Sequence, residues 1–139
     1  MKTKMSRSFL GLSLLLAALP ASAHHSFTSE FDINKPVVLK GIVTKFDWVN
    51  PHAWVYVDVK GDDGKVVTWA VETGAPNALI RRGVRKTDFP IGVEVTVKGW
   101  RAKNGTPTAN GKSITLADGR NFALGTSAGG GDQNPGGGQ

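Results

Sequence analysis

Most of the metal and acid–base chemistry open to this chain rests on three histidines, His24, His25 and His52, because it contains no cysteine. His24 and His25 are adjacent. His52 stands alone within Phe46-Asp47-Trp48-Val49-Asn50-Pro51-His52-Ala53-Trp54-Val55-Tyr56, a span that also carries an Asn-Pro corner and a concentration of aromatic rings. A chain beginning at His24 would offer its α-amine beside its imidazole, and those two nitrogens can chelate one ion. With His25 and His52 nearby the set becomes a nitrogen brace, which suits Cu(II). A chain beginning at Ser22 would instead present Ser22-Ala23-His24, an amino-terminal copper-binding tripeptide. Copper is therefore the one cofactor these residues suggest. The competing reading needs no metal: His52 bonds to backbone at a strand start, and Asn50 does the same in the turn. No Met-rich or His-rich tract favours metal handling.

A second set of residues could bind rather than ligate. Asn50, His52, Trp54, Tyr56, Glu72 and Arg101 combine rings, amide and charge, and aromatic side chains beside basic ones can stack on flat ligands and hold anions. The alternative is that Trp54 and Tyr56 lie under the N-terminal arm, against Phe27 and Phe31. Catalysis finds less support. Ser26 and the threonines lie in no nucleophile motif, and no catalytic residue is assigned. The expectation is a non-enzyme.

Strands must position these residues. Val37 to Trp48 is apolar on both alternating sets with Gly41 at its centre, the pattern of a long strand bent to serve two sides of a closed sheet. After the Asn50-Pro51 corner, Val55, Val57 and Val59 alternate with Trp54, Tyr56 and Asp58. Gly61-Asp62-Asp63-Gly64 reads as a hairpin turn, and the return strand Lys65 to Glu72 puts Val67, Trp69 and Val71 on one side. That leaves Trp54, Tyr56, Thr68 and Glu72 facing outward. Pro76 and Gly83 bracket a short helix, Asn77 to Arg82. Val93 to Trp100 forms the next strand, and a polar loop is expected from Arg101 to Lys112. Ser113 to Ala117 and Asn121 to Leu124 pair around Asp118-Gly119. Strand, strand, strand, short helix, strand, strand is the order of an OB-fold, so the fold expected is all-β with one short helix, a small five-stranded OB-fold-like barrel. A β-sandwich is the competitor, but it leaves the helix after strand three unexplained. The outer face of strands two and three, with the Asn50-Pro51-His52 loop and the Arg101 loop, is where such barrels bind ligands.

The ends read differently. Lys2, Lys4 and Arg7 precede an apolar run from Phe9 to Leu19, too short to span a bilayer comfortably, and Ala21-Ser22-Ala23 supplies a small-x-small cleavage site. Residues 1–23 are thus expected to be a signal peptide cut after Ala23, with a periplasmic destination and no membrane span afterwards. Removing those three basic residues lowers the net charge from +6 to +3. So small and scattered an excess gives no ground for nucleic-acid binding. An N-terminal arm is expected over 24–35, the barrel over 36–124, and a disordered Gly-rich tail over 125–139.

His24-His25-Ser26-Phe27, Glu30-Phe31-Asp32, Gly41-Ile42-Val43-Thr44 and Trp48-Val49-Asn50-Pro51-His52 resemble a family of exported bacterial proteins catalogued only as a domain of unknown function. Trp69, Pro76 to Gly83 and Leu116-Ala117-Asp118-Gly119-Arg120 resemble it too. The resemblance implies export and brings no reaction. Together these readings describe a non-catalytic binding or accessory protein with an unknown small ligand or periplasmic protein partner, the alternative being a copper-binding protein.

Overall fold

The computed structural model describes residues 27–125. The expected signal peptide, His24, His25 and nearly all of the Gly-rich tail lie outside the described residues. A one-turn helix α1 (Phe27–Glu30) leads directly into β1 (Phe31–Asp47), followed by β2 (Trp54–Lys60), β3 (Val66–Glu72), a short helix α2 (Pro76–Arg81), β4 (Glu94–Ala102), β5 (Thr108–Leu116) and β6 (Asn121–Ala123). The sheet runs β3-β2-β1-β4-β5-β6, and a pairing of β3 with β5 closes the first five strands into a ring. All neighbours are antiparallel except that closing pair, Ala70 to Glu72 beside Thr108 to Asn110, which is parallel. The mostly-β expectation with a closed strand order holds, and the expected last pair is present, its second member being the short edge strand β6.

Gly41 makes the bend in β1 possible. It pairs with Val59 on one side and Val95 on the other, so β1 is shared between two ladders. A Cβ placed on it would sit 2.1 Å from the Asp58 carbonyl oxygen, a distance no side chain tolerates. Gly99 is constrained the same way: a Cβ placed on it would sit 2.1 Å from the Asn110 carbonyl oxygen. A bulge at Thr44, where the register passes from Val43 opposite Val57 to Lys45 opposite Tyr56, then reverses the inward parity. Leu39 and Val43 point into the core before the bulge and Phe46 after it, which accounts for the apolar Phe46 in the second alternating set, whereas Val38 and Ile42 of that set precede the bulge and are exposed.

The core is filled by Val43, Val55, Val57, Val71, Val95, Val97, Ile114 and Leu124, all essentially sealed from solvent. Each such side chain contributes about 1.5–3 kcal/mol on burial. The segment between β3 and β4 adds Leu79, Val84 and Phe89; Phe89 meets Phe46 and Phe122 edge-on at 5.8 and 5.4 Å. Pro76 opens α2, and Pro76 and Leu79 are its buried residues.

Several local expectations are corrected. The polar loop expected over 101–112 is shorter, because β5 begins at Thr108. The extended arm expected over 24–35 gives way at Phe27 to α1 and at Phe31 to β1. Val67, expected inside, is 43% exposed, because it lies at the hairpin end of β3 beyond the covered part of the ring.

Candidate functional site

The site is built around the Asn50-Pro51 corner, whose peptide bond is cis. Directly after it, Ala53 is fully buried and fixed to the end of β3: Ala53 N–H donates to Gly74 O (3.2 Å), Thr73 N–H donates to Ala53 O (2.9 Å), and the Thr73 hydroxyl donates to the same oxygen (3.0 Å). These bonds extend the β2–β3 ladder by one pair past its last regular partners, Trp54 and Glu72. Because side chains alternate along a strand, His52 and Trp54 leave the same outer face as Glu72. Glu72 lies opposite Trp54 and diagonal to His52, within cross-strand reach of both. The result is a carboxylate–imidazole pair. His52 Nδ1 is buried, has no other partner among the described residues, and faces Glu72 Oε1.

Its burial distinguishes Glu72 from an ordinary surface carboxylate. The expectation put it on the solvated outer face; its register does point outward, but only 5% of it is exposed. Ring closure explains part of this. The parallel pairing sets Asn110 beside Glu72, and Asn110 is itself 3% exposed. Asn110 in turn pairs with Trp100, and Trp100 with Pro36. One row of outward positions thus runs Asp47, Trp54, Glu72, Asn110, Trp100 around the ring. At its far end Phe27 packs edge-on against Trp100 at 5.3 Å and stacks near Phe31 at 5.8 Å. Phe27 therefore packs on Trp100, whereas Phe31 lines one groove together with Trp54.

Beside this row lies an open groove of about 620 Å³, in the size range of small-molecule sites, lined among others by Trp54, Thr108, Asn104, Lys103 and Glu30. Helix α1 and the β4–β5 loop form its walls. Lys103 holds them together through a bond from its backbone N–H to Glu30 O at 2.8 Å and a close contact of its ammonium with Thr28 O.

The remaining expected residues lie apart from this centre. Tyr56 sits further along β2, with the Lys45 ammonium 5.1 Å from its ring centre. That lysine is tied to Asp47 at 2.7 Å, and the bond raises its pKa. Arg101 stands over Trp69 at 5.5 Å and donates to Gly105 O at 3.0 Å. Asn50 is exposed at the corner. His52, Trp54 and Glu72 thus come together, Asn50 and Tyr56 flank them along the chain, and Arg101 in β4, paired with Ala109, is directed to Trp69 instead. Among the described residues no group of three histidine or acidic side chains could hold a metal on its own. His24 and His25 lie outside them. Sequence reasoning missed Asn110, Trp100 and Thr108; a signal existed in the Thr108-Ala109-Asn110 stretch before Ile114, but without apolar alternation to mark it.

A closed ring of strands with two sealed polar positions, Glu72 and Asn110, in its outer row and no helix among the described residues able to cross a membrane is the framework of a small β-domain with a surface site. Residues 13–112 match the model of a family of unknown function, DUF6152, and the chain belongs to that family. No curated protein and no solved structure matches it.

Proposed function

We propose that the protein is an exported, non-catalytic periplasmic binding or accessory protein that works through the outer face of β2 and β3. The observation carrying this reading is the groove of about 620 Å³ whose wall includes Trp54, immediately beside the His52–Glu72 pair. An indole offers a flat apolar platform, while Asn104, Thr108 and Lys103 supply polar groups around it. This combination suits a small ring-bearing ligand with hydroxyl or anionic substituents. Export is supported by the basic, apolar and small-residue succession of residues 1–23.

The test is chemical-shift mapping on the mature protein with a panel of free sugars, nucleosides and aromatic acids. Saturable shifts clustered on Trp54, Asn104 and Thr108, and lost in Trp54→Ala, are the expected result. A panel that moves nothing, or moves only residues remote from β2 and β3, sinks the proposal.

A further inference from the structure

We infer that the groove beside Trp54, taken as the working site of the preceding reading, receives a neutral oligosaccharide. Its lining carries one acid and one base, Glu30 on the α1 wall and Lys103 on the wall formed by the β4–β5 loop. Their charges cancel, so the groove has no net charge with which to draw an anion. The apolar part of the lining is Trp54, half-buried, with the buried Phe31 and Ala102. An indole in that position presents a flat apolar face with polar surroundings. The C–H face of a pyranose is the sugar surface that lies on such a plate, its hydroxyls pointing to the rim. About 620 Å³ is room for a drug-sized molecule, which is more than one sugar ring needs, so a short chain of rings fits better than a monosaccharide.

The hydrogen bonds of the β4–β5 loop set that rim out for hydroxyls. Asn104 Oδ1 accepts from the Thr106 N–H at 3.0 Å and from the Thr106 hydroxyl at 2.7 Å, which fixes the orientation of the amide. The Thr106 hydroxyl has a single proton, and the Asn104 oxygen can only accept it. The 3.0 Å bond between the Thr106 and Thr108 hydroxyls is therefore completed by the Thr108 proton. Asn104 Nδ2 keeps both its protons, with no acceptor among the described residues, and Thr108 Oγ1 keeps lone pairs. A donor and an acceptor held by the same threonine match a hydroxyl, which gives one bond and takes another; a carboxylate can only take. The loop is also fixed before any ligand arrives. Ala70 N–H donates to Pro107 O at 3.0 Å, Thr108 N–H to Thr106 O at 2.8 Å, and the Arg101 guanidinium to Gly105 O at 3.0 Å. A sugar thus meets groups already in place, which lowers the ordering cost of binding.

The experiment follows amide and indole shifts of the exported mature protein during titration with maltotriose, cellotriose and triacetylchitotriose, and separately with glucuronic acid, adenosine and benzoate. At least one neutral trisaccharide should bind saturably and shift Trp54, Asn104 and Thr108, with the same Kd from about 0.05 to 0.5 M sodium chloride because no charge is being screened. Trp54→Ala should weaken that binding by about tenfold or more. Asn104→Asp keeps an oxygen for both Thr106 bonds but replaces the two free donors with an acceptor, and should weaken it by about fivefold. Asn104 is exposed, so this variant serves where Trp54→Ala fails to fold, thermal unfolding checking both. Trisaccharide binding that survives both substitutions, or that falls steeply with salt, overturns the inference. So does Trp54-dependent binding of glucuronic acid, adenosine or benzoate with no trisaccharide bound, which leaves the groove reading standing. A panel that moves nothing removes both.

Discussion

Trp54 and Glu72 are direct partners across the β2–β3 ladder on the same outer face, yet the indole is half-exposed and the carboxylate is sealed. The contrast sets the sealed Glu72, between His52 and Asn110, directly beside the open groove at Trp54. It also means that Glu72 depends on His52 for compensation, since a buried carboxylate without a partner is strongly unfavourable.

That dependence is measurable. His52→Ala should destabilise the fold by about 1–3 kcal/mol, discounted from a fully buried pair because His52 keeps partial solvent contact. Glu72→Ala should cost less in the His52→Ala background than in the parent. Urea unfolding of the two single variants and the double variant gives the coupling; additivity would show that the pair contributes nothing.

Gly41→Ala should lower stability by about 1–3 kcal/mol or more, since the added carbon meets the Asp58 backbone at 2.1 Å and the buried Val57 side chain at 2.9 Å. Gly64→Ala, where nothing lies within 4 Å but φ is +79°, should cost only about 1 kcal/mol from backbone strain. Chemical denaturation compares them, and equal losses would contradict the close approach of β1 to β2.

Phe27→Ala should loosen α1 and the start of β1 without opening the ring. Its edge-on contact with Trp100 is worth about 0.5–1.5 kcal/mol beyond buried area. Hydrogen exchange should accelerate over residues 27–36 and remain slow at Val55 and Val97, and uniform acceleration would show that the aromatic cluster belongs to the main core.

At the β5–β6 turn, Arg120 lowers the pKa of Asp118, first through its backbone N–H and then through its side chain. The Asp118 contribution is therefore present above the ordinary carboxylate value of about 3.9 and is lost as pH falls through the lower folded value. Carbon-detected titration should find Asp118 below the ordinary carboxylate value, and Arg120→Ala should raise it while leaving part of the shift, because the backbone donor stays.

The valine alternation of β2 and β3, the Gly61 to Gly64 turn, α2 and the bent β1 were legible because each is a local pattern with a local cause. The first half of β5 was not. Ala109, Asn110 and Gly111 are weak strand formers, and the bulge at Lys112, between the Lys98–Ser113 and Gly99–Gly111 pairs, puts Ala109 and Ile114 on one face despite their odd spacing. The His52–Glu72 meeting was half legible. Both were named from residue type and outward register, but the burial of Glu72 depends on Asn110, brought beside it by a strand 38 residues further along the chain. Arg101 was placed by its loop, and the loop moved once β5 began at Thr108.

The parallel seam between β3 and β5 has a further consequence. It is three residue pairs long and joins segments separated by α2 and β4, so its closure is the costly, non-local step that few contacts repay. Sub-global opening should begin there, and opening separates Glu72 from Asn110. A molecule held on the row would bind only the closed form, and its concentration would set how often the seam opens. Occupancy would then be recorded as slowed amide exchange at Ala70, Val71 and Glu72, making the seam itself a reporter for a ligand not yet named.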